Sequence, residues 1–292
     1  MEVKLKTRAK VNFSIDVVGK REDGYHLVEM IMQTIDLYDV ITLCDTPEKG
    51  ISIKCSSGIV PSDSRNIAYK AADLIIKRCG VEKGVKIDIE KRIPVGAGMA
   101  GGSCNAAGVL VGLNRLWNLG LSVEELKQLG LELGADVPFC IEGGTALAQG
   151  IGEKLTALKD VKDVWIVVCK PNFSVSTAEV YKSLKLDSVG TRPDTGRLLG
   201  YMEKNDIKAL AGGMANVLEG VTQSRYSVIA HIKDKMMHQR ALGSIMTGSG
   251  PTVFGIFKNF EDAHKAESKL KAMWEQTYLV KTENRGVEFN EG

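Results

Sequence analysis

A glycine-rich run in the first half of the chain constrains its fold more than any other feature. The run reads Pro94-Val95-Gly96-Ala97-Gly98-Met99-Ala100-Gly101-Gly102-Ser103-Cys104-Asn105-Ala106-Ala107. Glycines allow positive φ and leave room for a ligand beside the backbone amides. A helical pattern begins directly behind the run, and a helix start carries unpaired N–H groups and the positive end of the helix dipole. The run therefore predicts an anion site, with phosphate as its natural ligand.

The composition limits which classes of protein can carry such a run. A chain of 292 residues is expected to form one large domain or two modest ones. The 38 basic and 36 acidic residues nearly balance, which argues against a dedicated nucleic-acid binder. The longest apolar runs are too short to span a membrane, and the charged N-terminus is unlike a signal peptide. We expect neither nucleic acid nor a membrane as a partner.

Cysteine and histidine usage indicates a reducing compartment. The six cysteines are scattered without a CxxC pair, and only four histidines accompany them. The spacing typical of zinc ligands is therefore absent. Scattered cysteines in a chain without a signal peptide fit the cytoplasm, which is the predicted location.

Hydrophobic periodicity predicts an α+β chain. Apolar and polar residues alternate strictly over residues 9–17, which is typical of a half-buried strand. The polar face of this strand, predicted to point away from the core, carries Lys10, Asn12, Ser14 and Asp16. Further strands are predicted at about 29–35, 39–44, 51–55, 85–90, 164–169, 252–257 and 278–289. Helices are predicted at about 66–78, 106–117, 122–134, 177–184, 205–220, 226–240 and 260–275.

A change of pattern at 151–163 predicts a domain boundary. Glycine and charge replace apolar periodicity there, so we divide the chain into domains of residues 1–155 and 156–292. The second part is expected to pack helices on a mostly antiparallel sheet. The polar stretch 187–198 is predicted to be a surface loop.

The run alone leaves two alternatives to a simple phosphate-binding loop. The sequence Gly96-x-Gly98-x-x-Gly101 formally matches a dinucleotide-binding fingerprint, which would indicate a nicotinamide-dependent oxidoreductase. That fold requires a continuous apolar strand ending at the first glycine, whereas the preceding strand alternates and ends earlier. The other alternative is a turn that merely requires glycine. A Walker P-loop is excluded because no lysine follows the glycines.

Several motifs together resemble the GHMP kinases, small-molecule kinases named for galactose, homoserine, mevalonate and phosphomevalonate. The glycine run resembles their phosphate loop. The companion motifs are Ala9-Lys10-Val11-Asn12, Gly24-Tyr25-His26, Gly134-Ala135-Asp136-Val137-Pro138 and the late glycine motif Thr247-Gly248-Ser249-Gly250-Pro251. The resemblance implies a two-domain α+β fold. Its N-terminal α/β domain would bind ATP and contain a mixed sheet, its C-terminal part would be a ferredoxin-like α/β layer, and the active site would lie in the cleft between them.

The resemblance also implies a role for individual residues. Lys10 is expected beside the acceptor hydroxyl and the transferring phosphate, where an ammonium stabilises developing negative charge. Asp136 is the expected general base, although an Asp before a helix is often only an N-cap. Asn66 is expected near the adenine, with an N-cap as an equal alternative. ATP is expected on Pro94, Val95, Gly96, Ala97, Gly98, Met99, Ala100, Gly101, Gly102, Ser103 and Cys104.

The resemblance further implies a cytidyl substrate. Tyr25 and Tyr181 are expected to stack on opposite faces of the base, His26 to bind its edge, and Asn12 to contact the substrate. Stacking of a base on an aromatic ring contributes about 1–3 kcal/mol. The implied substrate is cytidine diphosphate-linked methylerythritol, phosphorylated on a hydroxyl. Alternatives are a kinase of the mevalonate or homoserine type and a relative that binds ligand without catalysis.

Three loop positions depart from the pattern that the run resembles. Ala97 and Ala100 stand where glycine is usual, and Cys104 stands where serine is common. Alanine costs little at negative φ, so we expect the loop geometry to persist, with a hydroxyl ligand lost at 104. Mg²⁺ is expected with ATP, and Ser103 is the loop hydroxyl that could help to place it. A monomer or weak homodimer is expected.

Overall fold

The computed structural model describes residues 1–186 and 189–290. The first part of the chain contains β1 (Glu2–Lys20), β2 (His26–Thr46), β3 (Ile51–Cys55), α1 (Ile67–Cys79), β4 (Gly84–Glu90), α2 (Gly101–Leu116), α3 (Val123–Leu133), α4 (Val137–Glu142), β5 (Thr145–Gly150) and β6 (Lys154–Ala157). The second part contains β7 (Trp165–Cys169), α5 (Thr177–Ser183), α6 (Thr195–Glu203), α7 (Ile207–Gly213), β8 (Ala215–Asn216), α8 (Glu219–Arg225), α9 (Val228–His238), β9 (Gly243–Met246), β10 (Val253–Phe257), α10 (Phe260–Lys271), β11 (Thr277–Lys281) and β12 (Val287–Phe289).

These strands form two sheets of different character. The first has the order β12-β1-β2-β4-β3, with β5 paired to β2, β6 to β5 and β8 to β1. It is mixed, because the β3–β4 and β1–β8 pairs are parallel. The second sheet, β11-β7-β10-β9, is antiparallel throughout. The predicted α+β class with a mixed first sheet is therefore confirmed. Because β8 and β12 join the first sheet, sheet membership does not follow the division at residue 155, which stays a prediction.

Four predicted elements differ from the structure. The strands predicted at 29–35 and 39–44 are one strand, β2. The apparent break is an irregularity in pairing, since Arg8 pairs with Tyr38 but Lys10 pairs with Thr34. The helix predicted at 205–220 is divided into α7, β8 and α8, because residues 215–216 pair with β1 instead of continuing the helix. The strand predicted at 278–289 is β11 and β12, which lie in different sheets.

The loop predicted at 187–198 is also shorter than expected. Helix α6 begins at Thr195, because the Asp194 side chain caps it by accepting a hydrogen bond from the Arg197 amide. Residues 187 and 188 lie outside the described residues, so the prediction is not assessed there.

The polar face of β1 is buried, which corrects the prediction that it points away from the core. Lys10 is 4% exposed, and Asn12 and Ser14 are fully buried. Ser14 lies at the point where β8 pairs with β1, and the backbone N–H of Asn12 donates to the Thr247 hydroxyl at 3.0 Å. Elements from the second part of the chain therefore cover this face.

Helix α2 packs closely on the first sheet and so fixes the glycine-rich loop above it. A Cβ added to Gly108 would lie 2.2 Å from Thr7 Cγ2, and one added to Gly112 would lie 2.5 Å from Leu43 Cδ1. Two helical glycines thus allow the helix to approach β1 and β2 more closely than larger residues would. Within the part of the chain that the structure describes, no helix is long and apolar enough to cross a membrane.

Candidate active site

A cavity of about 1200 Å³ lies between residues from both parts of the chain. Most of the predicted site residues line it. From the glycine-rich loop these are Pro94, Val95, Gly96, Ala97, Gly98, Ala100, Gly101, Gly102 and Ser103. From other segments they are Lys10, Tyr25, His26, Asn66, Asp136, Tyr181, Gly248 and Ser249. The cavity lining does not include Asn12, Met99, Cys104, Thr247 or Gly250.

Lys10 brings the predicted catalytic pair and the loop together. Its Nζ donates to Asn12 Oδ1 at 2.8 Å and to the Gly98 carbonyl at 3.3 Å. The same atom is 3.8 Å from Asp136 Oδ2. The Lys10 side chain is 5% exposed and that of Asp136 is 32% exposed. A nearly buried ammonium therefore lies beside a carboxylate that solvent or a substrate can reach.

Asp136 occupies an N-cap position without acting as a cap. It precedes α4, yet its side chain accepts no capping hydrogen bond from that helix. Pro138 within the first turn of α4 has no N–H to donate, so one usual capping donor is missing. The carboxylate is directed to Lys10 instead, which favours the catalytic interpretation over the N-cap.

Asn12 connects Lys10 with the late glycine motif and does not face the cavity. Its Oδ1 accepts from Lys10 Nζ, from the Thr247 hydroxyl at 3.2 Å and from the Gly248 amide at 3.2 Å. Because one buried oxygen joins these three donors, Asn12 orients the Lys10 ammonium across the junction of the two parts. These contacts favour a positioning role for Asn12, and its predicted contact with the substrate stays a prediction.

The glycine-rich loop and the late glycine motif touch backbone to backbone. Gly98 and Gly248 both have positive φ, at 72° and 59°. A Cβ on Gly98 would lie 2.5 Å from the Thr247 carbonyl oxygen, and one on Gly248 would lie 2.6 Å from the Gly98 carbonyl oxygen. Neither position has room for a side chain, so glycine is required at both for this approach.

Ala100 corrects the expectation that the loop alanines have negative φ. Ala100 has φ 58°, in the left-handed region, whereas Ala97 is not among the residues of positive φ. A left-handed conformation costs a residue with Cβ about 1–2 kcal/mol. Ala100 is also the N-cap of α2, and an alanine side chain cannot accept the first-turn N–H groups. These amides, at Gly101, Gly102 and Ser103, are left for an anion in the cavity.

Cys104 and Met99 point into the core. Cys104 is 1% exposed, and its thiol lies 2.9 Å from the Arg8 carbonyl oxygen and 3.5 Å from Cys140 Sγ. That thiol contact and burial hold the pKa of Cys140 well above its usual range. The Cys104 side chain therefore contributes to packing beneath the loop. Having cysteine at this position, where serine is common, removes no group from the cavity lining.

Two of the rings expected at the base contact each other, and the clamp of Tyr25 and Tyr181 stays a prediction. Tyr181 packs against His26, with ring centroids 5.1 Å apart, and Tyr25 is 60% exposed at the rim. Burial, together with Asp136, raises the pKa of Tyr181 to about 12. Partial burial and the charge of Lys20 lower the pKa of His26, so its imidazole is neutral at pH 7. A neutral ring beside a phenol can both donate and accept a hydrogen bond.

Asn66 is the N-cap of α1, which confirms that alternative. Its Oδ1 accepts from the Ala68 amide at 2.9 Å, and its Nδ2 donates to the Pro61 carbonyl at 2.8 Å. Asn66 also lines the cavity, which is compatible with the expected place beside adenine. That contact with adenine stays a prediction.

Several basic residues of the cavity wall were missed from the sequence. They are Lys20, Arg65, Lys91 and Lys182. Of these, Lys91 had a usable signal, because it stands three residues before the loop. Among residues 1–186 and 189–290, no group of three or more His, Cys, Asp or Glu side chains could hold a metal ion.

Two family models and many known proteins match this chain. Residues 66–144 match the family description "GHMP kinases N terminal domain", and residues 198–276 match "GHMP kinases C terminal". A Clostridioides difficile protein named 4-diphosphocytidyl-2-C-methyl-D-erythritol kinase is 54% identical, over 98% of this chain and 97% of that protein.

Solved structures show the same fold. A crystal structure of 4-(cytidine 5'-diphospho)-2C-methyl-D-erythritol kinase has TM-score 0.81 and 31% identity, covering 97% of this chain and 99% of that one. A homoserine kinase from Cytophaga hutchinsonii has TM-score 0.79 at 19% identity, covering 99% and 97%, a likeness that shows the fold alone. Because relatives align over nearly the whole chain and both family domains are present in order, the chain belongs to the GHMP kinase family.

Proposed function

We propose that this chain transfers the γ-phosphoryl group of ATP to the 2-hydroxyl of 4-diphosphocytidyl-2-C-methyl-D-erythritol. GHMP kinases use ATP, and relatives about half identical over nearly the full length carry the name of this kinase. The observation that carries the proposal is the convergence of Lys10 Nζ, Asp136 Oδ2 and the Gly98 carbonyl among residues that line the cavity. A phosphoryl donor on the loop would meet an acceptor hydroxyl beside Asp136 there.

In the proposed reaction Asp136 receives the proton of the attacking hydroxyl. The hydroxyl oxygen forms a bond to the γ-phosphorus, and the bond from that phosphorus to the bridging β-phosphate oxygen breaks, which releases ADP. Lys10 stabilises negative charge on the transferring group, and Asn12 holds Lys10 in place for this role. Phosphoryl transfer depends mainly on positioning and electrostatic stabilisation, which suits a site with one carboxylate and one ammonium.

The residues of the loop fit a triphosphate. Gly96 and Gly98 have positive φ, and the first-turn amides of α2 have no capping side chain. We propose that Mg²⁺ accompanies ATP, held by phosphate oxygens with Ser103 as the nearest loop hydroxyl. The ion would neutralise charge on the phosphates.

The aromatic residues of the cavity lining support a cytidyl group. The His26 and Tyr181 rings provide an apolar surface with polar edges, and Tyr25 lies at the rim. Lys20 and Lys182 line the same region, and they would attract a diphosphate. We further propose a cytoplasmic location, which the free thiols of all six cysteines support.

An ADP-release assay tests the proposal. The cytidyl substrate should give ADP and a 2-phosphate product, whereas mevalonate and homoserine should not. Asp136→Asn keeps the size of the side chain but removes the base, so kcat should fall by about 10²–10⁴-fold. Release of ADP with homoserine or mevalonate only would replace the proposal with that alternative.

A binding-only relative and an oxidoreductase are distinguished by two further readouts. Binding of ATP without any ADP formation would indicate the former. A rise in melting temperature with NAD but not with ATP would indicate the latter.

A further inference from the structure

A buried carboxylate lies beneath the glycine-rich loop, outside the cavity. Asp39 on β2 is fully buried and accepts four hydrogen bonds. Its Oδ1 accepts from the backbone amides of Arg92 and Ile93 at 2.7 and 2.8 Å. Its Oδ2 accepts from Asn105 Nδ2 at 2.7 Å and from Lys91 Nζ. The Asp39 side chain therefore connects residues 91–93, which precede the loop, with the beginning of α2, which follows the loop.

Of the two Asp39 partners that line the cavity, Asn105 and Lys91, Lys91 carries the charge. Its side chain is 5% exposed, and it lines the cavity beside the start of α2. A Cβ on Gly101 would lie 2.9 Å from Lys91 Nζ, so the ammonium is adjacent to the first residue of that helix. A helix N-terminus carries about half a positive charge, which repels an ammonium beside it. Without a negative partner, Lys91 would turn away from this position.

We propose that Asp39 is a positioning residue for nucleotide binding. Through Oδ2 it holds the Lys91 ammonium against the N-terminus of α2, where both face a polyphosphate. Through Oδ1 it holds the entrance of the loop. Asp39 itself touches no ligand, because it lies outside the cavity. The inference rests on the proposed use of ATP by this loop.

The substitution Asp39→Asn separates the contact with Lys91 from the anchoring of the loop entrance. The amide oxygen of asparagine can still accept from Arg92 and Ile93, so the loop entrance keeps its anchor. The amide nitrogen would then face two other donors, on Lys91 and Asn105, and no charge would balance the ammonium. We expect Lys91 to leave its position while the loop backbone stays in place.

The first measurement is steady-state kinetics with both substrates varied. For Asp39→Asn we expect the KM for ATP to rise about tenfold, the ratio that loss of one charged hydrogen bond of about 1.4 kcal/mol produces. The KM for the cytidyl substrate and kcat should stay within about twofold. The matched control is Asp36→Asn, on the same strand but exposed, which should change no constant by more than about twofold. A KM for ATP within twofold of wild type for Asp39→Asn would overturn the proposal.

A double-mutant cycle tests whether Asp39 acts through Lys91. Lys91→Met removes the ammonium and keeps the length of the side chain, and it should raise the KM for ATP about as much as Asp39→Asn does. In the Lys91→Met background, Asp39→Asn should then add little, because the two residues act as a unit. Fully additive effects would contradict the proposal. If Asp39→Asn fails to fold, an unchanged KM for ATP in Lys91→Met alone still overturns it.

A binding measurement separates this inference from the proposed function. The Kd of a non-hydrolysable ATP analogue, measured by calorimetry on the same variants, needs no acceptor substrate. If wild type binds the analogue but does not turn over the cytidyl substrate, the proposed acceptor is wrong, and the rise in Kd for Asp39→Asn still decides the role of Asp39. If circular dichroism and melting temperature change while Kd does not, Asp39 is merely structural.

Discussion

Two strands of the first sheet, β1 and β4, have the same alternating sequence pattern, but their polar residues differ in solvent exposure. In β1 the polar residues Lys10, Asn12 and Ser14 are buried, whereas in β4 the polar residues Lys86, Asp88 and Glu90 are all exposed. Both strands place their apolar residues in the core. The difference is what lies against the polar residues: Thr247 and Gly248 of the late glycine motif donate hydrogen bonds to Asn12 on β1, and the polar side chains of β4 remain in solvent.

The comparison shows what alternation can and cannot indicate. A period of two predicts a strand and the face that packs against the core. It carries no information on whether a distant segment covers the other face. Burying polar groups without partners is costly, so a covered polar face must be hydrogen-bonded and is a candidate for function.

The largest difference should appear in catalysis. Lys10→Met removes the ammonium but keeps the side-chain stem, and kcat should fall by about 10²–10³-fold because charge on the transferring phosphate loses its partner. Lys86→Met on the exposed face should leave kcat within about twofold of wild type. Initial rates of ADP release at saturating substrates measure both. A similar fall in kcat for both variants would contradict a special role for the buried polar face of β1.

A smaller difference should appear in stability. Asn12→Ala leaves buried donors on Lys10, Thr247 and Gly248 without their shared acceptor, so the free energy of unfolding should fall by about 1–3 kcal/mol. Asp88→Ala, on the exposed face, should change it by no more than about 0.5 kcal/mol. Urea unfolding followed by circular dichroism gives both values. An Asn12→Ala protein as stable as wild type would show that this junction contributes little to folding.

The smallest difference should appear in the dependence of stability on pH. The hydrogen bond from Arg8 on β1 lowers the pKa of Glu288, so this contribution is present above the unfolded pKa of about 4.3. It is lost as pH falls through the lower pKa of the folded state. Glu288→Gln should therefore flatten the decline of the urea midpoint in this acid range. Glu90→Gln on β4, as the matched change, should leave the decline as in wild type; an equal effect of both would argue against the Arg8 pair.

The phosphate loop shows how far local sequence can predict a site. Its glycines, the helix behind it and the companion motifs were sufficient to predict an anion site and the family. They could not predict that Ala100 would have positive φ, because that depends on how the end of the loop meets α2. Nor could they predict that Cys104 points into the core, which depends on the packing of α2 against β1 and α4.

The aromatic residues give a second example. Tyr25, His26 and Tyr181 were all identified, and all line the cavity. Their pairing was not predicted, because the orientation of α5 relative to the β1–β2 turn is set by tertiary contacts. His26 therefore packs against Tyr181, while Tyr25 lies at the rim.

By itself the sequence determined the features that depend on neighbours along the chain. These include the strand at β1, the glycine-rich loop with its following helix, and the identity of the residues that carry charge. Only the tertiary structure decided which charges meet. Lys10 and Asp136 are 126 positions apart, and Asn12 and Thr247 are 235 positions apart. Contacts over such separations depend on how helices and sheets pack, and the same packing buried the polar residues of an alternating strand, of which Lys10 lines the cavity.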